Sequence, residues 1–93
     1  MKDIISEKVI EKSLNKKAKD LGGMSLKLLS THMTGLPDRM ILLPGGKMFF
    51  VEVKTTGEKP RKIQLYIHKK LRKLGFDVYV IDHLDQIEPI LER

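Results

Sequence analysis

Apolar residues recur along this chain with two periods, and the change from one to the other marks out its elements. Ile10, Leu14, Ala18 and Leu21 fall three or four apart, which predicts a helix over residues 6–21 closed by Gly22-Gly23. From there the pattern shortens. Residues 24–30 read as a strand and 31–37 as a loop. Two apolar runs follow, 39–43 and 48–54, separated by Pro44-Gly45-Gly46-Lys47, a hairpin connection by composition. A polar loop over 55–59 leads to Pro60, which suits the first turn of a second helix. That helix carries Ile63, Ile67, Leu71 and Leu74, and Gly75 ends it. Val78, Val80 and Ile81 place a strand over 77–81. Leu84, Ile87, Ile90 and Leu91 make a last short helix, its regularity limited by Pro89. The order α-β-β-β-α-β-α predicts an α/β fold, a mixed sheet flanked by helices.

The hairpin carries the candidate chemistry. Asp38, after Pro37, opens its first run, and Glu52 and Lys54 end its second. Two carboxylates and a lysine at the ends of adjacent strands are the parts of a metal-dependent phosphodiester-cleaving site. The acids hold a hard divalent cation through oxygen, and the lysine acts on the attacking water or the phosphate. Each piece alone is commonplace, since Asp follows Pro in many turns and Glu-x-Lys is the ordinary alternation of a half-buried strand. Their conjunction across a short turn is what points to function.

Register tests whether the two acids can meet. A two-residue Gly45-Gly46 turn, or a four-residue loop with Leu43 opposite Met48, sets Arg39 opposite Glu52 and leaves Asp38 on the wrong face. A three-residue Pro44-Gly45-Gly46 loop sets Leu43 opposite Lys47 and Asp38 opposite Glu52, about 4.5–5.5 Å apart at Cβ. The metal reading favours the three-residue loop or an equivalent bulge.

Outside the hairpin, Glu7 and Glu11 lie four apart on the first helix, whose apolar stripe centres near Glu7. A carboxylate in an inward stripe is expensive unless paired or metal-bound, which favours Glu7 as a third acidic ligand. The alternative is that Glu7 merely complements the dipole of the first turn. Gln64 flanks the stripe of the second helix and reads as solvent-facing on spacing alone. His32, His68 and His83 show no metal-binding spacing and read as ordinary residues.

Composition narrows the partners. The 93 residues suit one domain, 1–93, with a modest core that an oligomer would help. A net charge of +6, from 18 Lys and Arg against 12 acids, favours a polyanion, nucleic acid first. With only five aromatic residues, stacking platforms for single strands are missing, so contacts to phosphate are expected. Arg39, Lys59, Arg61, Lys62, Lys69 and Arg72 are the candidate contacts. Cysteine is absent, which excludes disulfides and thiolate metal sites and suits the cytoplasm. No apolar stretch approaches membrane-spanning length, and there is no P-loop, Rossmann glycine fingerprint or Ser-His-Asp pattern.

Gly35-Leu36-Pro37-Asp38-Arg39, Phe50-Val51-Glu52-Val53-Lys54, Gln64, and Leu74-Gly75-Phe76 ahead of a valine-rich strand together resemble the VRR-NUC domain. This is the virus-type replication-repair branch of the PD-(D/E)xK nucleases, and the resemblance covers nearly the whole chain. It implies a restriction-endonuclease-like fold with an α-β-β-β-α-β core. It also implies Glu7, Asp38 and Glu52 as acidic ligands of Mg²⁺ or Mn²⁺, with the Val53 carbonyl as a backbone ligand. Lys54 would be the catalytic lysine and Gln64 the helix glutamine of the site, and Glu11 competes with Glu7 for the first position. Short standalone members resemble archaeal resolvases, homodimers that cut four-way (Holliday) junctions symmetrically. The expected activity is therefore a metal-dependent, structure-selective DNA endonuclease, intracellular and of viral or prophage type. The alternative is a basic DNA- or RNA-binding domain without catalysis.

Overall fold

Ser6 is the residue that starts the first helix. Its backbone is extended and its hydroxyl accepts from Val9 N–H at 3.3 Å, a cap worth about 1 kcal/mol. The computed structural model describes residues 3–92, leaving Met1, Lys2 and Arg93 outside the description. Helix α1 spans Glu7–Asp20 and buries Ile10, Leu14 and Ala18 completely. Leu21, expected to continue that stripe, is the C-cap residue and stays half exposed.

The remaining elements are β1 (Met24–Lys27), β2 (Arg39–Leu43), β3 (Lys47–Val53), α2 (Lys62–Lys73), β4 (Val78–Ile81), a 3₁₀ turn (Leu84–Gln86) and α3 (Ile87–Leu91). Their order is the expected one. The sheet runs β1-β2-β3-β4, with β1/β2 and β2/β3 antiparallel and β3/β4 parallel. The parallel pair follows from α2, which carries the chain back between β3 and β4.

Strand β1 is shorter than residues 24–30. Its last rung beyond the ladder is Leu28 N–H to the Asp38 carbonyl at 2.9 Å. The next residue on the partner strand is Pro37, which has no N–H to give. The chain then turns, with the Ser30 hydroxyl accepting from His32 and Met33 N–H at 3.2 and 3.0 Å.

One sheet face, with Ile41, Leu43, Phe49, Val51, Val53 and Ile81, packs on the inner stripes of α1 and α3 to form the core. Helix α2 lies over the opposite face, so β3 is buried on both sides from Phe49 to Val53. Two expectations about α2 need correction. Pro60 stands before the helix, and Arg61 is the N-cap. The buried residues are Gln64, Ile67 and His68, while Ile63 is 38% and Leu74 73% exposed. Polar contacts to the sheet, described next, set the rotation of this helix.

Candidate active site

The site begins with the hairpin turn. Leu43 pairs with Lys47, so Pro44-Gly45-Gly46 is a three-residue loop, and the ladder runs to Arg39 opposite Val51. One step further along this register, Asp38 faces Glu52. The turn needs its glycines, because φ is +85° at Gly45 and +79° at Gly46, a region that costs other residues about 1–2 kcal/mol. Asp38 leans across onto β3, where its Oδ2 accepts from Val53 N–H at 2.7 Å.

Glu52 is the centre of the cluster. Its side chain is only 1% exposed, and it is met by Lys54 Nζ at 3.7 Å, Gln64 Nε2 at 3.1 Å and His68 Nε2 at 3.3 Å. Burial pushes its carboxyl up to about 8. The charge of Asp38 and a hydrogen-bonding contact between the two carboxyls add to that rise, Glu7 adds a smaller share, and Lys54 opposes it. His68 is pushed the other way, below its ordinary value, first by burial and then by the charge of Arg72. A neutral imidazole beside a carboxyl that resists ionising makes this contact a hydrogen bond rather than an ion pair.

Gln64 serves both its own helix and the site. Its Oε1 accepts from Arg61 N–H at 2.8 Å, closing the start of α2. The Arg61 side chain has no acceptor to return the favour, so the cap is one-sided. With the oxygen committed to a backbone donor, the amide nitrogen is left to donate to Glu52, and the amide orientation is determined. The expectation that Gln64 faces solvent is overturned, for it is 6% exposed. His68, read from the sequence as ordinary, is fully buried against the central acid. One signal was available, because Gln64 and His68 sit at i and i+4 on the same face as Ile67.

Glu7 is the first residue of α1, and its amide donates to Thr55 Oγ1 at 3.1 Å, one residue beyond Lys54. Thr56 continues this clamp, its N–H donating to the Ile5 carbonyl at 3.1 Å and its Oγ1 accepting from Ile5 N–H at 2.9 Å. Glu7 is partly buried and its carboxyl is raised by burial, then by Asp38, against the lowering effect of Lys54. Glu11 has a different task. It binds Arg39 Nε at 2.8 Å, and both side chains are largely covered. Between the two helix acids, Glu7 answers to the site and Glu11 to Arg39.

Arg39, a candidate phosphate contact, binds Glu11 through Nε and reaches the Ser25 carbonyl through Nη1 at 3.5 Å. Arg72 is similarly engaged, donating to the Val78 carbonyl at 2.7 Å and so tying α2 to β4. Lys59, Arg61 and Lys62 are exposed at the end of α2 that carries Gln64, next to the acids, and Lys69 is exposed farther along the helix.

Among the described residues, no three His, Cys, Asp or Glu side chains surround a common point as a finished metal shell. The donor chemistry nevertheless fits a hard cation. Asp38 and Glu52 supply carboxylate oxygens on one face, and the charge of Asp38 adds to the cost of ionising both Glu52 and Glu7. A divalent ion relieves such a repulsion directly.

No protein-family model matches the sequence. Over 82 residues, 88% of each protein, the chain is 44% identical to "Putative nuclease p44" of Acyrthosiphon pisum secondary endosymbiont phage 1. A solved structure described as a VRR_NUC domain superposes with a TM-score of 0.86 at 31% identity, covering 96% of this chain and 98% of its own.

Proposed function

Because this chain belongs to the VRR-NUC family of nucleases, we propose that it hydrolyses DNA phosphodiester bonds with Mg²⁺ or Mn²⁺ and prefers branched DNA such as a four-way junction. The observation that carries this reading is the Asp38–Glu52 pair, in which burial first and the neighbouring Asp38 charge second raise the Glu52 carboxyl to about 8. A domain that only bound DNA would gain nothing from two acids held against phosphate.

Asp38, Glu52 and the Val53 carbonyl would hold the cation, with Glu7 joining from the start of α1. The bound ion would supply the charge that polarises the scissile phosphate and its water. Lys54 brings an ammonium to the same place, where it orients the attacking water and offsets negative charge gathering on the phosphate. Water adds to phosphorus as the bond to the leaving oxygen breaks. Gln64 keeps the Glu52 carboxylate facing its neighbours. Lys59, Arg61 and Lys62 grip flanking phosphates with little sequence preference. No helix among the described residues is long and apolar enough to cross a membrane.

A second copy is the partner this reading implies. The half of the sheet that α2 leaves uncovered carries Met24, Leu26, Met40, Leu42 and Met48 on one face, with Met24 57% and Leu26 37% exposed. Two copies joined there would offer paired sites to a two-fold symmetric junction.

Incubation with four-way and linear DNA in Mg²⁺, Mn²⁺ or EDTA tests the proposal. Metal-dependent cutting of the junction in preference to linear duplex is expected. Binding with no cleavage under any metal would establish the non-catalytic alternative instead.

A further inference from the structure

Glu52 is gripped from α2 by two residues one helical turn apart, and only Gln64 has a place in the reading above. His68 is the other. It is fully buried, its Nε2 lies 3.3 Å from Glu52 Oε1, and Gln64 Nε2 lies 3.1 Å from Oε2. Each carboxyl oxygen thus has its own nitrogen from the same helix face. His68 Nδ1, by contrast, is buried without a hydrogen-bond partner among the described residues.

We infer that His68 is a positioning residue of the cleavage site, donating Nε2–H to Glu52 Oε1 so that α2 fixes the carboxylate plane through two donors. The orphaned Nδ1 supplies the reason for the tautomer. An imidazole with its proton on Nδ1 would bury an N–H with nothing to receive it, which costs more than burying a lone pair. Placing the proton on Nε2 satisfies it with Glu52. A carboxylate held at both oxygens keeps lone pairs free for a cation and loses the rotations that would turn it away. Hydrogen-bonding partners behind a metal ligand typically control affinity about 10- to 100-fold. The inference rests on the proposed function, since it assumes that Glu52 is such a ligand.

The test compares the parent chain with His68→Leu, which fills the site without a donor, and His68→Gln, whose amide nitrogen can take the place of Nε2. Binding of Mn²⁺ alone is measured by calorimetry, and cleavage is followed against Mn²⁺ concentration at saturating DNA. His68→Leu should weaken Mn²⁺ binding about 10- to 100-fold and shift the metal dependence of cleavage equally. DNA affinity should hold, and His68→Gln should recover most of the loss. Leu and Gln variants that both bind Mn²⁺ within about threefold of the parent would assign His68 to packing alone. A parent that binds no Mn²⁺ would instead remove the metal reading, and this inference with it. Nitrogen NMR of the Mg²⁺-saturated parent gives an answer even if the variants fail to fold. A proton on Nε2 supports the assignment, and a proton on Nδ1 overturns it.

Discussion

Asp38, Glu52 and Lys54 differ in what each loses on substitution, and that difference separates catalysis from binding. Asp38→Asn and Glu52→Gln each replace a charged oxygen donor by a neutral amide, so metal-dependent cleavage should fall by at least about a hundredfold. Both changes also remove negative charge beside the DNA, so DNA affinity should hold or rise in a binding assay. Lys54→Ala should stop turnover while weakening binding only modestly, as one phosphate contact among several. Variants that cut junctions as fast as the parent would refute the active-site assignment. Glu52 also makes stability depend on pH. Its folded value of about 8 lies above the ordinary carboxylate range. Folding therefore takes up a proton between that range and pH 8, and stability of the metal-free protein falls as pH rises through this window. Thermal melts should show a decline that levels off above it. Glu52→Gln has no charge to bury, so it should flatten the profile and raise Tm at the alkaline end, by roughly 4–8 °C for each kcal/mol relieved. A parent whose Tm is level across the window would contradict the burial of a strained acid.

At the scale of elements, the hairpin turn and the start of α2 act as alignment devices. Gly45 and Gly46 have no atom within 4 Å of where a Cβ would stand, so a substitution there meets backbone strain and no clash. Gly46→Val should cost about 1–2 kcal/mol, which for a domain of this size is a fall in Tm of roughly 4–16 °C. Gly46→Asn should cost much less, because asparagine tolerates the left-handed region. Equal losses in the two variants would mean that the turn is not held at positive φ. The same turn fixes the three-residue loop that brings Asp38 opposite Glu52, so its geometry reaches the chemistry without any glycine touching it. The start of α2 works in a similar way. Gln64 caps Arg61 with one end of its amide and meets Glu52 with the other, coupling the position of a helix to the orientation of an acid.

For the whole molecule, the two sheet faces have unequal cover. One is closed by α1 and α3 around the core. The other is covered by α2 over β3 and β4, while on β1 Met24 and Leu26 stay exposed and on β2 Met40 and Leu42 are half-buried. A dimer across that part of the face should be visible by sedimentation at micromolar concentration. Leu26→Glu should yield monomers and lose paired nicking of a four-way junction while single nicks persist. A monomeric parent that still cuts junctions in pairs would overturn the assembly.

The reading of α1, of the hairpin and of the Asp38, Glu52 and Lys54 candidates came from local signals. Ile10, Leu14 and Ala18 declare a helix face by spacing. Pro44-Gly45-Gly46 offers positive φ at the positions a three-residue turn requires, and strand alternation then carries Glu52 and Lys54 to one side. The helix face and the strand alternation depend on neighbours within a few residues, so the sequence determines them alone, whereas the turn length stayed open among three loops until the ladder paired Leu43 with Lys47. The tertiary structure decided what long-range polar contacts decide. It turned Gln64 and His68 inward toward an acid 12 and 16 residues away, and it paired Arg39 with Glu11 across 28 residues. Apolar periodicity cannot register these choices. A buried polar side chain is tolerated only where a specific partner awaits it, and only the assembled fold brings that partner within reach.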